Sequence, residues 1–532
     1  MAQHFNDILS LIQQQKLHLT LNQMVRGIEK ESLRIEPNGH LAQTPHPTAL
    51  GSALTHTSIT TDYSEALLEF ITPTFTDVDE MLEHLEKTHR YTYQQLDNEK
   101  LWVNSMPCIM GDESSIPIAT YGNSNVGRMK HVYRHGLWHR YGKLMQTIAG
   151  IHYNVSMPDD FWPGYQKLHN NTDSLQDFIS AQYFGLIRNF QRFVGLVIYL
   201  YGASPTVCGS FLKGRDHGLE QFNDSTLYLP YGTSLRMSDL GYQNDAQAGL
   251  LISYNSLNEY VTDLTRAIQT PHPAYETLGV KKNKANGGEE YQQLNTNILQ
   301  IENEYYGSIR PKRVAKSGEK PTCALATRGV EYIEMRCVDL NPFEPIGISA
   351  EKIRFLDVFA VLCLIEPSPT IDTAAQQEID NNQEAIVMQG RKPNLQIHQN
   401  GEAVCFKNWS HGLLDKMAKI ATLMDEAGDT NNYSNAIANQ KQKVDNPDKT
   451  PSAKIINTLR ENDTGFYHFA MEKALEHETY FRNNPLAKDD FEAFQKQSAE
   501  SLQQQVNIEN SDTQSFEQYL AAYFEKKPCA NS

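Results

Sequence analysis

The 532-residue sequence predicts an α+β fold, a mixed core of carboxylate-bearing strands surrounded by helices. Three observations predict it. Runs with period-two alternation fall before residue 340. Apolar residues at helical spacing dominate 172–203 and 349–366. From about residue 373 the chain reads as mostly helical and acidic-polar, through AAQQEIDNNQEAIVMQ, LLDKMAKIATLMDEA and the Gln/Glu-rich 488–526. We read 1–532 as one large domain, with 1–370 a mixed α/β core carrying the candidate site and 371–532 a mostly helical C-terminal layer.

Taken in order, residues 1–24 predict an amphipathic helix, because Phe5, Ile8, Leu9 and Ile12 recur at helical spacing. Two strands are expected in 25–73, around a Gly/Thr/Pro-rich turn region. Val78, Met81, Leu82 and Leu85 mark a helix over 76–98. Loops, one helix and a strand fill 100–160. A long, buried helix follows at 172–203, then a loop-rich stretch to 260. KKNKANGGEE (281–290) reads as an exposed excursion around an Asn-Gly-Gly turn. Strand-like runs at 294–306 and 330–339 precede a helix at 349–366.

Composition narrows the function classes. The net charge is −17, which argues against nucleic-acid or anionic-membrane partners. The longest apolar stretch, Phe193–Ala203, is far short of the ~20 residues a membrane helix needs. The seven cysteines are scattered without CxxC spacing. Such a set points to reduced thiols, no required disulfide and a cytoplasmic location.

The informative feature is a set of strands with one acidic face. Period two puts Glu29 and Glu31 on one side of GIEKESLRI. It groups Glu65, Leu67, Glu69 and Ile71 in EALLEFI, and His152, Asn154 and Ser156 in IHYNVSM. In EYIEMRC, Tyr332, Glu334 and Arg336 face together. Any one such strand is as well explained by a solvent-facing sheet surface. Four strands with the same pattern gather carboxylates that would repel unless neutralised. Hard oxygen donors with one imidazole suit Mg²⁺ or Mn²⁺, and Mg²⁺ is commonly held by carboxylates plus substrate phosphates. The pattern therefore suggests metal–nucleotide phosphoryl chemistry.

Other motifs carry less. His131, His135 and His139 recur at four-residue spacing, but Gly136 weakens the helix and no HExxH glutamate is present. We read an exposed histidine stripe, not a zinc site. GSFLKGRD nearly matches a P-loop, yet Arg215 and Asp216 replace its Lys-Ser/Thr. Basic residues cluster at Gly127–Arg134 and at Ser308–Arg313, either of which offers contacts to phosphate or carboxylate.

Long motifs then resemble one family. RGIEKESLRI, ALGSALTHTSITTDYSEALLEFITP, GRMKHVYRHGLWHRYGKLMQTIAGIHYNVSMP, LPYGTSLRMSDLGY, LQIENEYYGSIRPKRV and GVEYIEMRCVDLNPFEPIG run in order over about 20–345, with QGRKP a weaker marker at 389–393. They are similar to the proteobacterial glutamate–cysteine ligases (γ-glutamylcysteine synthetases). The resemblance implies a curved antiparallel half-barrel related to glutamine synthetase, with the active site on its concave face. It implies ATP-dependent joining of L-glutamate to L-cysteine, the first step of glutathione biosynthesis, in a cytoplasmic monomer subject to feedback inhibition by glutathione. The implied metal ligands, for Mg²⁺ with Mn²⁺ as the alternative, are Glu29, Glu31, Asp62, Glu69, His152 and Glu334. The implied cysteine pocket is Tyr63, Tyr133, Leu137, Gln146, Arg236, Tyr242 and Tyr306. Some relatives have Phe where Tyr63 stands. Arg236 and Arg336 become the candidates to hold substrate carboxylate or phosphate and to stabilise developing charge. Two alternatives stay open at this stage: a ligase of the same fold using another amine, and a binding protein that kept the sheet.

Overall fold

The computed structural model describes residues 2–242, 249–284, 287–316 and 318–525. Its centre is a seven-stranded antiparallel sheet. The strands are β1 (Val25–Ile35), β2 (Ile59–Thr61), β3 (Leu67–Ile71), β4 (Lys100–Leu101) and β5 (Ile151–Ser156), with two more from later in the chain. Between them in sequence lie β6 (Thr206–Cys208), β7 (Glu220–Asn223) and β8 (Thr226–Tyr228), a small separate sheet, and the hairpin β9 (Lys281–Asn283) and β10 (Glu289–Tyr291). The late strands are β11 (Ile309–Lys312) and β12 (Tyr332–Val338). The main order is β11-β12-β5-β1-β3-β2, with β4 paired to one end of β1.

Alternation sets the two faces. Ile28, Phe70, Tyr153, Val155, Ile333 and Met335 are buried on the core side. Two helices cover it, Leu175–Tyr201 and Ala350–Ile365, and the main hydrophobic core runs from Phe5 to Phe494. Ser174 caps the first of them by accepting from Asp177 N at 3.1 Å. The second supplies Asp357, which pairs with Arg26 of β1 at 2.9 Å and accepts from Tyr153 of β5. The C-terminal helices return to the N-terminal region. In Lys488–Ser511, Ser501 accepts from Ser52 N and Gln505 from Ser52 Oγ.

The helices at 76–98, 172–203 and 349–366 stand at Val78–Gln95, Leu175–Tyr201 and Ala350–Ile365. Several expectations are corrected. Residues 294–306 hold no strand, only a 3₁₀ turn at Glu302–Glu304. Their side chains take the backbone groups a neighbouring strand would need. Gln300 Oε1 accepts from Leu294 N, Asn295 Oδ1 from Asn297 N and Glu304 Oε2 from Gln300 N. Glu65 leaves the acidic face because it precedes β3 and accepts from His46 N and Thr120 N, both at 2.7 Å. The 25–73 region holds three strands, and β13 (Gln396–Gln399) with β14 (Glu402–Cys405) interrupts the C-terminal helices. Gly136 does not break the helix Asn125–Tyr141, since a Cβ there would sit 2.1 Å from Gln300 Oε1 and glycine is the residue that fits. The three histidines on that helix are half-buried, not exposed. The cysteines are not all reduced. Cys108 and Cys208 form a disulfide and Cys323 is disulfide-bonded too. No CxxC signal marks the Cys108–Cys208 pair because 100 residues of chain separate partners whose Cα atoms lie 5.2 Å apart.

No helix of the described residues is long and apolar enough to cross a membrane.

Candidate active site

Pairing register assembles the site. Glu31 stands directly across from Glu69, and Glu29 across from His152, where β1 runs between β3 and β5. Glu334 of β12 pairs with Asn154 of β5 on one side and Arg310 of β11 on the other. The register slips between Met335 and Val338, and Arg336 lies in that irregularity, as expected where a sheet re-aims a side chain beside a site. Asp62 follows β2 in a turn held through its main chain, whose carbonyl accepts from Tyr121 OH and Arg134 Nε.

These side chains line a cavity of about 400 Å³ on the polar face of the sheet. The helix Asn125–Tyr141 closes one side with Lys130, Tyr133, Arg134 and Leu137. Ser124 caps that helix by accepting from Gly127 N. The segment leading to Tyr306 closes another side and is pinned to the helix from below. Arg140 reaches Glu304 at 3.0 Å with both side chains fully buried, and Tyr141 OH donates to the same carboxylate.

Three ligand atoms of Glu29, His152 and Glu334 lie within 4.8 Å of one another, a spacing able to hold a metal ion. His152 Nδ1 is 3.0 Å from Glu29 and 3.7 Å from Glu334, and its Nε2 is 3.8 Å from Glu31. Asn154 donates to Glu29 at 3.0 Å and Gly150 N to Glu31 at 2.6 Å. Cations flank the cluster, Lys312 3.1 Å and Arg336 3.2 Å from the two oxygens of Glu334.

Burial pushes the carboxyls of Glu29, Glu31, Glu69 and Glu334 upward, and neighbours decide the outcome. Burial then the charges of Glu29, Asp62 and Glu31 hold the Glu69 carboxyl well above the usual range. Glu31 is also raised, by burial first and by Asp62. Against the same burial, Lys312, Arg336 and His152 pull Glu334 well below that range. At Glu29 burial is the largest effect, but the hydrogen bond and charge of His152 together with Lys312 overcome it and lower the carboxyl. Burial and Arg134 bring the Lys130 ammonium down to about 8. A carboxyl raised by burial and by like charges, beside another lowered by flanking cations, marks a site short of positive charge.

The sequence profile of the glutamate–cysteine ligase family matches residues 9–386. The chain belongs to the glutamate–cysteine ligase family. It is 55% identical to the glutamate–cysteine ligase of Alcanivorax borkumensis, over 96% of this chain and 99% of the other. With that of Pseudomonas paraeruginosa it shares 50% over 94% of each. The crystal structure of glutamate–cysteine ligase from Francisella tularensis in complex with AMP superposes with a TM-score of 0.88 at 36% identity, covering 94% of this chain and 97% of that one. A bifunctional glutathione synthetase from Pasteurella multocida shares the fold, with a TM-score of 0.73 at 23% identity, over 92% of this chain and 58% of that one.

Within this ligase-family site, Glu29, Glu31, Asp62, Glu69, His152 and Glu334 all line the one cavity, as do Tyr63, Tyr133, Leu137, Gln146, Tyr306 and Arg336. Arg236 does not. It lies buried behind the wall, donating to Arg336 O at 2.7 Å, with Nη1 3.7 Å from Asp339. A Cβ on Gly150 would meet its guanidinium at 2.1 Å, so Gly150 makes room for it. Tyr242 ends a short helix at Asp239–Tyr242, and its side chain lies outside the described residues. Both basic clusters reach the cavity, through Lys130 and Arg134 and through Arg310 and Lys312. Tyr141, Met145, Ile301, Asn303 and Glu304 line it too, and sequence reasoning missed them. Only the density of charge in GRMKHVYRH and IRPKR signalled any part of this wall.

Proposed function

We propose that this chain catalyses ATP-dependent ligation of the γ-carboxylate of L-glutamate to the amine of L-cysteine. The products are γ-glutamylcysteine, ADP and phosphate, the first step of glutathione biosynthesis. Membership of the glutamate–cysteine ligase family carries this reading, and the acidic cavity rimmed by Lys130, Arg134, Arg310, Lys312 and Arg336 gives it a chemistry.

A carboxylate is a poor acyl donor. Transfer of the γ-phosphoryl group of ATP to the glutamate γ-carboxylate gives γ-glutamyl phosphate. The cysteine amine then attacks the acyl carbon and inorganic phosphate leaves. Phosphoryl transfer asks the protein for positioning and charge neutralisation. Glu29, Glu31, Asp62, Glu69, His152 and Glu334 would hold Mg²⁺, or Mn²⁺ in its place, and the donor set of five carboxylates and one imidazole fits such a hard cation. When bound, the cation supplies charge neutralisation at phosphate oxygens. Arg336 acts on the transferring phosphoryl group as a fixed cation in a buried site. Lys312, 3.1 Å from Glu334, and Arg310 offer further phosphate contacts.

Tyr63, Tyr133, Leu137, Gln146, Tyr242 and Tyr306 form the cysteine pocket in this reading. Tyr63 OH is buried without a hydrogen-bond partner among the described residues, which suits a group awaiting substrate. From its buried place Arg236 positions Arg336 through the main chain and adds positive potential toward the cysteine carboxylate. The sheet is a half-barrel of the glutamine synthetase kind, and the chain is a single catalytic domain, 1–370 bearing the site and 371–532 a helical layer. The enzyme works as a cytoplasmic monomer and is inhibited by glutathione, which contains the product.

Phosphate release from ATP tests the proposal. Release should require glutamate, cysteine and Mg²⁺ together, with γ-glutamylcysteine formed in equal amount. Equal release with cysteine omitted, or with an unrelated amine in its place, would contradict it.

A further inference from the structure

A second cavity, of about 570 Å³, shares no lining residue with the acidic one and opens between the segment that follows β12 and the starts of two helices, Ala350–Ile365 and Pro451–Glu461. Four lysines from separate elements line it. Lys352 comes from the first helix, Lys443 from the end of Asn432–Asp445, Lys449 from the turn Pro447–Lys449 and Lys454 from the second helix. Two carboxylates share the lining, Glu344 and Glu351. Glu351 is already engaged, accepting from Asn439 at 2.6 Å and Gln440 at 2.7 Å. The lining therefore carries more positive than negative charge.

Lys352 is only 3% exposed. Its ammonium donates to Asp339 O at 3.2 Å and lies 5.2 Å from the Tyr201 ring, with Lys443 4.8 Å from the same ring. Among the described residues no carboxylate lies within ion-pair distance of any of the four ammoniums. By contrast, the buried Arg26 and Arg140 are each paired, with Asp357 and with Glu304. Burial brings Lys352 down to about 8 against the attraction of Asp339 and with repulsion from Lys443, and burial brings Lys443 to the same value against the attraction of Glu351 and with repulsion from Lys454. Two helix amino termini, at Ser349 and Pro451, border the cleft and add positive potential.

We propose that this cleft is a second binding site, for a small organic or inorganic polyanion of at least two charges, recognised by Lys352, Lys443, Lys449 and Lys454. The cavity is larger than one phosphate needs and falls in the size range of small-molecule sites. Lys449 and Lys454 are exposed at its rim, where charge can be reversed without disturbing the core. Neither belongs to the catalytic cavity.

Calorimetric titration of the full chain with pyrophosphate, and separately with citrate, in metal-free buffer tests the site. At least one of the two should bind, and the tighter identifies the source as phosphate or polycarboxylate. The double variant Lys449→Glu/Lys454→Glu should weaken that binding by about tenfold or more, while keeping wild-type phosphate release with glutamate and cysteine. Arg336→Ala, which disables the catalytic cavity, should leave it unchanged. No binding of either anion, equal binding by the double variant, or loss of binding in Arg336→Ala would each overturn the proposal.

Discussion

Arg26 and Glu31 sit on the same strand, both almost fully buried, on opposite faces. Arg26 is saturated. It pairs with Asp357, donates to the carbonyls of Met24 and Thr76, and touches Tyr433 OH. Nearby Lys30, on the same face, has Ser32 and His89 as its hydrogen-bond partners and no carboxylate paired with it among the described residues, and burial lowers it to about 7. The core face thus resolves charge by pairing it or by favouring the neutral form. Glu31 instead faces a cavity shared with Glu29, Asp62 and Glu69, where like charges add to burial. Saturated buried charge holds a fold together, whereas unsaturated like charge around a cavity is held ready for something that arrives.

The sharpest way to break that contrast is to neutralise one member on each face. Glu334→Gln should lower phosphate release by at least about 100-fold, because even outer-shell partners of a metal are worth 10–100-fold, with the melting temperature kept. Asp357→Asn should do the reverse. It leaves Arg26 buried without its counter-charge and costs about 3–5 kcal/mol of stability, read by denaturant unfolding. Similar losses of stability in both variants would erase the distinction.

His152→Ala should raise the Mg²⁺ concentration for half-maximal activity by about tenfold or more, seen in a metal titration at saturating substrates. An unchanged requirement removes His152 from the ligand set. Tyr133→Ala should raise the Michaelis constant for cysteine by about tenfold, the effect of a lost apolar contact of about 1–3 kcal/mol, and that for ATP less. A change in the ATP constant alone would move Tyr133 to the nucleotide side. The same shape-based pocket should accept 2-aminobutyrate as a poorer substrate than cysteine.

The smallest effect concerns Glu69. Its raised carboxyl binds a proton more tightly in the folded than in the unfolded chain. Ionising it therefore costs stability as pH rises from about 4.5 toward its folded value. Glu69→Gln removes that titration. Without divalent ions, the variant's melting temperature should exceed the wild type's by a margin that grows with pH across that window, even as activity is lost. A margin that shrinks with pH would mean that Glu69 is stabilised as an anion.

The acidic face was legible because period two is strict in β1, β5 and β12, so one register places Glu29, Glu31, His152 and Glu334 without further information. Glu65 was misread because nothing in EALLEFI marks where β3 begins, and its partners His46 and Thr120 come from loops. The stretch 294–306 reads as strand-like, but its amides and carboxylates turn back on their own backbone. The disulfide between Cys108 and Cys208 depends on proximity across 100 residues, which no local pattern records. Asp62 and the proposed cysteine-pocket residues were reached through family resemblance, since they stand on turns and a helix where spacing carries no face.

The account rests on Glu29, His152 and Glu334 meeting across three strands to bind a divalent cation. Titration with Mn²⁺, followed by electron paramagnetic resonance of the free ion, measures that directly. The wild-type chain should take up Mn²⁺, Glu334→Gln and Glu29→Gln should lose most of that uptake, and Asp357→Asn, held below its unfolding temperature, should keep it. Undiminished Mn²⁺ binding in both glutamine variants would contradict the account.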